Sequence, residues 1–251
     1  MKPTPLTQYL LYQLYHGRIK FQEFHADRHP ASLHAFRIAM RKVRSIAKLL
    51  LDETTFAFPQ FLKEGIKTTN DLRELDVLIG SLEKYPKIRK ELLLIRPKQF
   101  EERLSELFCE ALLQNLDATY TLIYESDPAI FREIAVQKVL THYQHCLDEL
   151  NALTGDEKPK DLHKLRIMFK DARYGFEFLN VSDLHPSAEL IDYCRTMQER
   201  LGHVQDYVNQ LEWLTTFAAE NPALDLSELI AKRKKKLKKL KESAKDTTRS
   251  V

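Results

Sequence analysis

Leu33-His34-Ala35-Phe36-Arg37-Ile38-Ala39-Met40-Arg41-Lys42-Val43-Arg44 is written a second time as Leu162-His163-Lys164-Leu165-Arg166-Ile167-Met168-Phe169-Lys170-Asp171-Ala172-Arg173. In both copies a histidine is followed by cations at +3, +7 and +10, a spacing that stacks them along one side of a helix. One amphipathic helix with a cationic side is ordinarily a solvated face. The same residue types recurring in the same register point to a repeated architecture and a shared ligand.

Outward from these two stretches the chain reads as all-α. Only 6 of its 251 residues are glycine and 43% are hydrophobic, which allows a sizeable core and argues against a fold rich in tight β-turns. Helical periodicity predicts elements near 5–24, 30–52, 56–83 and 98–124, then near 129–152, 159–180, 187–220 and 223–246. Tyr85-Pro86, Pro97, Asp127-Pro128, Gly155 to Pro159, His185-Pro186 and Asn221-Pro222 mark the breaks. Four helices are followed by four. The expected architecture is two four-helix bundles related by internal duplication and pseudo-twofold symmetry, one over residues 1–126 and the other over 127–251.

A second pair of segments supports the duplication. Thr69-Asn70-Asp71-Leu72-Arg73-Glu74-Leu75-Asp76-Val77-Leu78 aligns with Leu201-Gly202-His203-Val204-Gln205-Asp206-Tyr207-Val208-Asn209. The offset between copies is 129 for the histidine motif and 132 for this one, so the two helix pairs repeat together.

Charge is distributed unevenly. The formal net charge of +3 becomes −5 once the eight cations between Lys232 and Lys241 are set aside, so the basic surface is local. Cys109, Cys146 and Cys194 are odd in number and widely separated, which suits reduced, core-packed thiols in a cytoplasmic protein. No segment reads as a signal peptide, and no run is long and apolar enough to span a membrane.

The combined motifs resemble the CHAD domain, the conserved histidine α-helical domain. The family's first element resembles His34, Arg37, Arg41 and Arg44, and again His163, Arg166, Lys170 and Arg173 followed by Tyr174. Its second element resembles L-G-x-x-R-D-x-D-V-L in one half and L-G-x-x-x-D in the other. This chain departs from it with Asn70 in place of the usual glycine and Glu74 in place of the usual aspartate, while Arg73 and Asp76 are kept. The resemblance covers essentially the whole chain. It implies two helical bundles with a basic groove or pore between them and binding of inorganic polyphosphate; storage-granule targeting, stress response and regulation of a polyphosphate enzyme encoded elsewhere would all use the same surface. Some members are fused to a triphosphatase domain of the triphosphate-tunnel type; this chain has no room for one, which sets the expectation of a protein that is not an enzyme.

The residue chemistry agrees with such a ligand. Polyphosphate is a dense polyanion without bases to read, and arginine supplies paired N–H donors that match phosphate oxygens. His34, Arg37, Arg41, Arg44 and Lys48 form one ladder, with Lys42 at its edge and Arg73 added from the second element. His163, Arg166, Lys170 and Arg173 form the other, shorter because Glu177 stands where Lys48 stands. The residues alone leave open that these cations pair with Asp71, Glu74, Asp76, Glu199 and Asp206 across the bundle. Each histidine is open to three roles, metal ligand, packed residue or phosphate donor: a lone histidine on a helix is most often structural, metal ligation needs several further ligands at suitable spacing, and the phosphate donor is the role favoured here. No metal or cofactor is expected. Arg73 and Asp76 are expected to pair on one helix, and His142 with His145 to be a surface feature.

Lys232 to Lys241 reads as a last helix or its solvated end, or as an extension of the anion track, or as a nonspecific nucleic-acid contact. The aromatic residues form no stacking platform, so sequence-specific base readout is not expected, only weak binding of DNA or RNA at low salt. Polyphosphate binding is the primary expectation. A helical scaffold recruiting an acidic protein or nucleic acid is the alternative, and an enzyme acting on phosphate chains ranks third.

Overall fold

The computed structural model describes residues 2–51, 58–153, 158–222 and 224–248, with side chains described up to 240. Among the described residues it has ten α-helices and no strand: α1 (Pro5–Asp27), α2 (Pro30–Leu50), α3 (Gln60–Thr68), α4 (Asn70–Gly80), α5 (Pro86–Arg103), α6 (Glu106–Ser126), α7 (Arg132–Asn151), α8 (Pro159–Val181), α9 (Ala188–Glu220) and α10 (Ser227–Thr248). The chain clusters into two compact units. One comprises residues 1–135 with 181–184, the other 136–180 with 185–251.

The first unit is organised on an antiparallel hairpin of α1 and α2. Thr4 caps α1, its hydroxyl accepting from the Thr7 N–H, and Pro5 supplies a first residue already set for helix. Arg28 then adopts a left-handed conformation, φ 59°, and stops α1. One residue later His29 caps α2 through Nδ1, which accepts from the Ala31 N–H at 3.2 Å, and Pro30 again opens the helix. The two helices approach closely because residue 17 is glycine: a Cβ there would collide with the end of Met40. Phe21 packs at a tilt against Phe36, 4.9 Å between centroids, and Phe24 meets Phe100 of α5 edge-on at 5.4 Å. Cys109 of α6 is buried beside this core.

Two departures from the expected elements lie in this unit. The predicted helix over 56–83 is two helices broken at Thr69, and the residues before Phe58 in that span lie outside the described ones. Thr69 is fully buried, its hydroxyl donating to the Ile66 carbonyl at 2.8 Å; a threonine side chain satisfied by local backbone competes with helix continuation. The predicted start at Lys98 is also displaced. Helix α5 runs through Pro97 to Arg103, and the break falls at Leu104-Ser105, where Ser105 caps α6 by accepting from the Phe108 N–H. Pro97 is tolerated because the carbonyl it leaves unpaired, four residues back at Leu93, lies on an exposed stretch where water replaces the lost bond.

In the second unit the elements fall within a few residues of expectation, with α10 starting at Ser227 after Asp225 accepts from its N–H and hydroxyl. Tyr143 of α7 packs edge-on against Phe176 of α8 at 5.3 Å and against Tyr193 of α9 at 6.1 Å. Cys146 and Cys194 are buried free thiols, each with burial pushing its pKa up to about 12. That places them as inert core groups.

Candidate functional site

Helix α2 carries five cations, Arg37, Arg41, Lys42, Arg44 and Lys48, and no acidic residue. Its apolar stripe, from Leu33 through Phe36, Met40 and Val43 to Ile46, is fully buried, which forces the ladder to the opposite side. His34, Arg44 and Lys48 are exposed and Arg41 is half-buried.

Arg37 is the exception. The structure places it in the interior at 3% exposure. Nη1 donates to the Ile66 carbonyl and to the Thr69 hydroxyl, each at 2.6 Å, and Nη2 donates to Oδ1 of Asn70 at 2.6 Å. It thus clamps α2 to the break between α3 and α4. The expectation that Arg37 is a ligand-facing rung is corrected accordingly: the α3–α4 break covers it, and its donors go to protein acceptors. Burial and the neighbouring guanidinium groups of Arg41 and Arg73 lower its pKa to about 9, so it keeps its charge at neutral pH.

Arg73, half-buried on α4, joins the cluster from the second element. Although His34 reaches solvent, neighbouring atoms desolvate its ring enough to lower its pKa, and Arg73, Arg41 and Arg37 lower it further, so this histidine sits in a field of three cations. Of the carboxylates expected to neutralise that field, Glu74 lies near enough to act on Arg37, and two others are engaged with cations of α5. Asp76 is bridged by Arg96 of α5, Nε to Oδ1 at 2.5 Å, with Arg96 also donating to the Arg28 carbonyl. Asp71 pairs with Arg103 at 2.7 Å. Neither Arg96 nor Arg103 is foreseeable as a partner of α4: periodicity starts the helix only at Lys98, after Arg96, and although Arg103 falls inside that predicted helix, no periodic signal links it to Asp71.

The ladder of the second unit is built differently. Helix α8 has five cations and three acidic residues. Lys170 lies 3.1 Å from Asp171, Arg173 lies 3.4 Å from Glu177, and the Arg173 guanidinium sits 4.9 Å from the Tyr174 ring. Helical spacing does not single out Asp171, since adjacent residues on a helix point in different directions; the long lysine stem closes that gap. Arg166 packs on Gly202 of α9 so closely that a Cβ there would stand 3.0 Å from its Nε. That Nε and Nδ1 of His163 are buried without a hydrogen-bond partner. The His163 pKa is lowered by burial, then by Arg166 and Lys170.

Arg37 and Arg166 hold the same place in the two motifs, and each reaches the same aligned position of its second element, Asn70 in one unit and Gly202 in the other. Elsewhere, His142 has Nε2 3.1 Å from the Met168 carbonyl and His145 lies 3.9 Å from Glu149. Among the described residues no group of three or more His, Cys, Asp or Glu could hold a metal ion, and no helix is long and apolar enough to cross a membrane.

These features define an all-helical protein with a histidine-led cationic helix in each of two units. The CHAD domain model matches residues 13–215, and the chain belongs to the CHAD domain family. A crystal structure of the CHAD domain from the plant Ricinus communis has the same fold: the TM-score is 0.77, the identity 19%, and the match covers 99% of this chain and 91% of that one. None of the curated proteins matches this chain.

Proposed function

We propose that this protein binds inorganic polyphosphate, without chemistry, through the cationic faces of α2 and α8. The observation that carries the reading is the charge imbalance on α2: five cations and no acid on the helix, with Asp71 and Asp76 held by Arg103 and Arg96. The Arg166 Nε–H and the His163 ring nitrogen Nδ1, both without a protein partner, favour an anion on α8. Direct contacts are assigned to His34, Arg41, Arg44, Lys48 and Arg73, and to His163, Arg166, Lys170 and Arg173. Arg37 positions α2. The pairing of Arg37 and Arg166 with aligned positions supports an internal duplication.

The proposal extends to the expected groove, in which one polyphosphate chain engages both faces. A double-mutant cycle tests that extension: Arg41→Gln with Lys170→Gln loses affinity non-additively if one chain bridges the faces, and additively if each face binds on its own. The proposed setting is the cytoplasm, polyphosphate granules included.

Competition tests the primary reading. Polyphosphate displaces labelled polyphosphate far better than the same phosphate supplied as DNA, and no orthophosphate is released during long incubation. Equal displacement by DNA favours a general polyanion scaffold, and steady phosphate release favours an enzyme.

A further inference from the structure

Helix α10 lies beyond the residues matched by the family model, and neither ladder includes it. No acidic residue stands between Glu228 and Glu242. Its apolar stripe is already committed: Leu226 and Leu229 are buried at 2% and 3% exposure, Ile230, Leu237 and Leu240 are half-buried, and α10 packs on α9. What remains is cationic. Lys232, Lys234, Lys235, Lys236, Lys238 and Lys239 are all exposed.

The position of α10 separates it from the α8 ladder. Arg166 of α8 contacts α9 at Gly202, whereas Arg233 of α10 sits over the ring of Tyr207, 5.1 Å from its centroid. Five residues along a helix correspond to about 7.5 Å of rise and about 140° of rotation, so α8 and α10 occupy different sides of α9. The lysine face is a separate surface.

Its shape also differs from a ladder. At about 100° per residue, the solvent-facing rungs Arg41, Arg44 and Lys48 of α2 fall within an arc of about 60°, with Lys42 alone set about 100° to one side, an arrangement suited to a single thread of charge. The α10 lysines cover an arc of about 200°: Lys232 and Lys236 on one flank, Lys234 and Lys238 on the other, Lys235 and Lys239 between. A convex rod charged on both flanks complements a concave surface whose two rims are anionic. The major groove of duplex DNA is such a surface, about 12 Å wide between phosphate backbones and able to admit a helix. Between Ala231 and Leu240 there is no aromatic, amide or hydroxyl side chain to read bases. The apolar stripe used against α9 leaves nothing to insert into a lipid bilayer.

We propose that the lysine face of α10 is a second binding surface that docks against the phosphate backbones of duplex DNA, independently of sequence and of the two ladders. The inference does not rest on polyphosphate binding.

The test is fluorescence anisotropy of the full chain with a labelled duplex of mixed sequence, against Lys234→Gln/Lys235→Gln/Lys238→Gln/Lys239→Gln and, separately, Arg41→Gln/Arg44→Gln. All are exposed or half-buried positions, and circular dichroism checks that each variant keeps its helices. The α10 variant is expected to bind the duplex about tenfold or more weakly, with the slope of log affinity against log salt shallower by about 0.9 for each phosphate no longer neutralised. The ladder variant keeps wild-type duplex affinity. The proposal is overturned if the wild type does not bind the duplex, if the α10 variant binds it unchanged, or if the ladder variant is the one that fails. Equal binding to vesicles containing phosphatidylserine, in competition with the duplex, also overturns it and assigns the face to anionic membranes.

Discussion

Arg37 and Arg166 stand at the same point of a repeated motif and meet different surroundings. Arg37 has three protein acceptors, so Arg37→Ala is expected to cost about 1–3 kcal/mol in chemical denaturation by stranding buried polar groups. Arg37→Lys recovers little of it, because one ammonium cannot reproduce the fork that spans Ile66, Thr69 and Asn70. Gly202→Ala is the complementary change. A methyl 3.0 Å from Arg166 Nε moves that side chain, and polyphosphate affinity measured by calorimetry should fall about tenfold, the worth of one charge-assisted hydrogen bond, with little change in the thermal midpoint. The histidines add a pH dependence whose sign is fixed. His34 and His163 have pKa values lowered below 6.5 in the folded protein, so stability contributed above 6.5 is lost as pH falls through the folded values. A bound polyanion raises those values, so polyphosphate affinity should increase from neutral to mildly acidic pH, and His34→Gln/His163→Gln should flatten the increase. The spacing of these residues is readable in the sequence. The burial of Arg37 is not, because what covers a helix face is decided by a distant segment, here the α3–α4 break.

At the scale of elements, periodicity locates the helices of the second unit to within a few residues and fails in the first at Thr69 and at Pro97. Both failures have a local cause. A buried threonine bonded to the Ile66 carbonyl breaks a continuous apolar pattern without a proline or glycine to announce it, and an exposed proline is hydrated where a buried one would end the helix. Pro97→Ala therefore restores one backbone hydrogen bond inside α5 and should stabilise the protein by about 2 kcal/mol, after the entropy that proline removes from the unfolded chain is offset. An unchanged or lowered urea midpoint would show that α5 depends on the proline. The candidate site is legible to the extent that it lies on one helix: the α2 and α8 ladders can be read from spacing, whereas Arg96 and Arg103, which pair with Asp76 and Asp71, come from a helix that starts 12 residues before the point where periodicity places it.

Across the whole molecule, the cationic helices α2, α8 and α10 differ in character. On α2 the charge has no acidic residue on its own helix, on α8 it is partly balanced by Asp171 and Glu177, and on α10 it is spread around a broad lysine face. In the proposed function the two histidine-led faces, and not the abundant lysines of α10, hold polyphosphate. Titration calorimetry of long-chain polyphosphate at physiological salt tests it most directly, comparing the wild type with Arg41→Gln/Arg44→Gln/Lys170→Gln/Arg173→Gln and with Lys234→Gln/Lys235→Gln/Lys238→Gln/Lys239→Gln. Tight wild-type binding is expected, lost in the first variant and retained in the second. Absence of wild-type binding, or loss in the second variant with retention in the first, would contradict it.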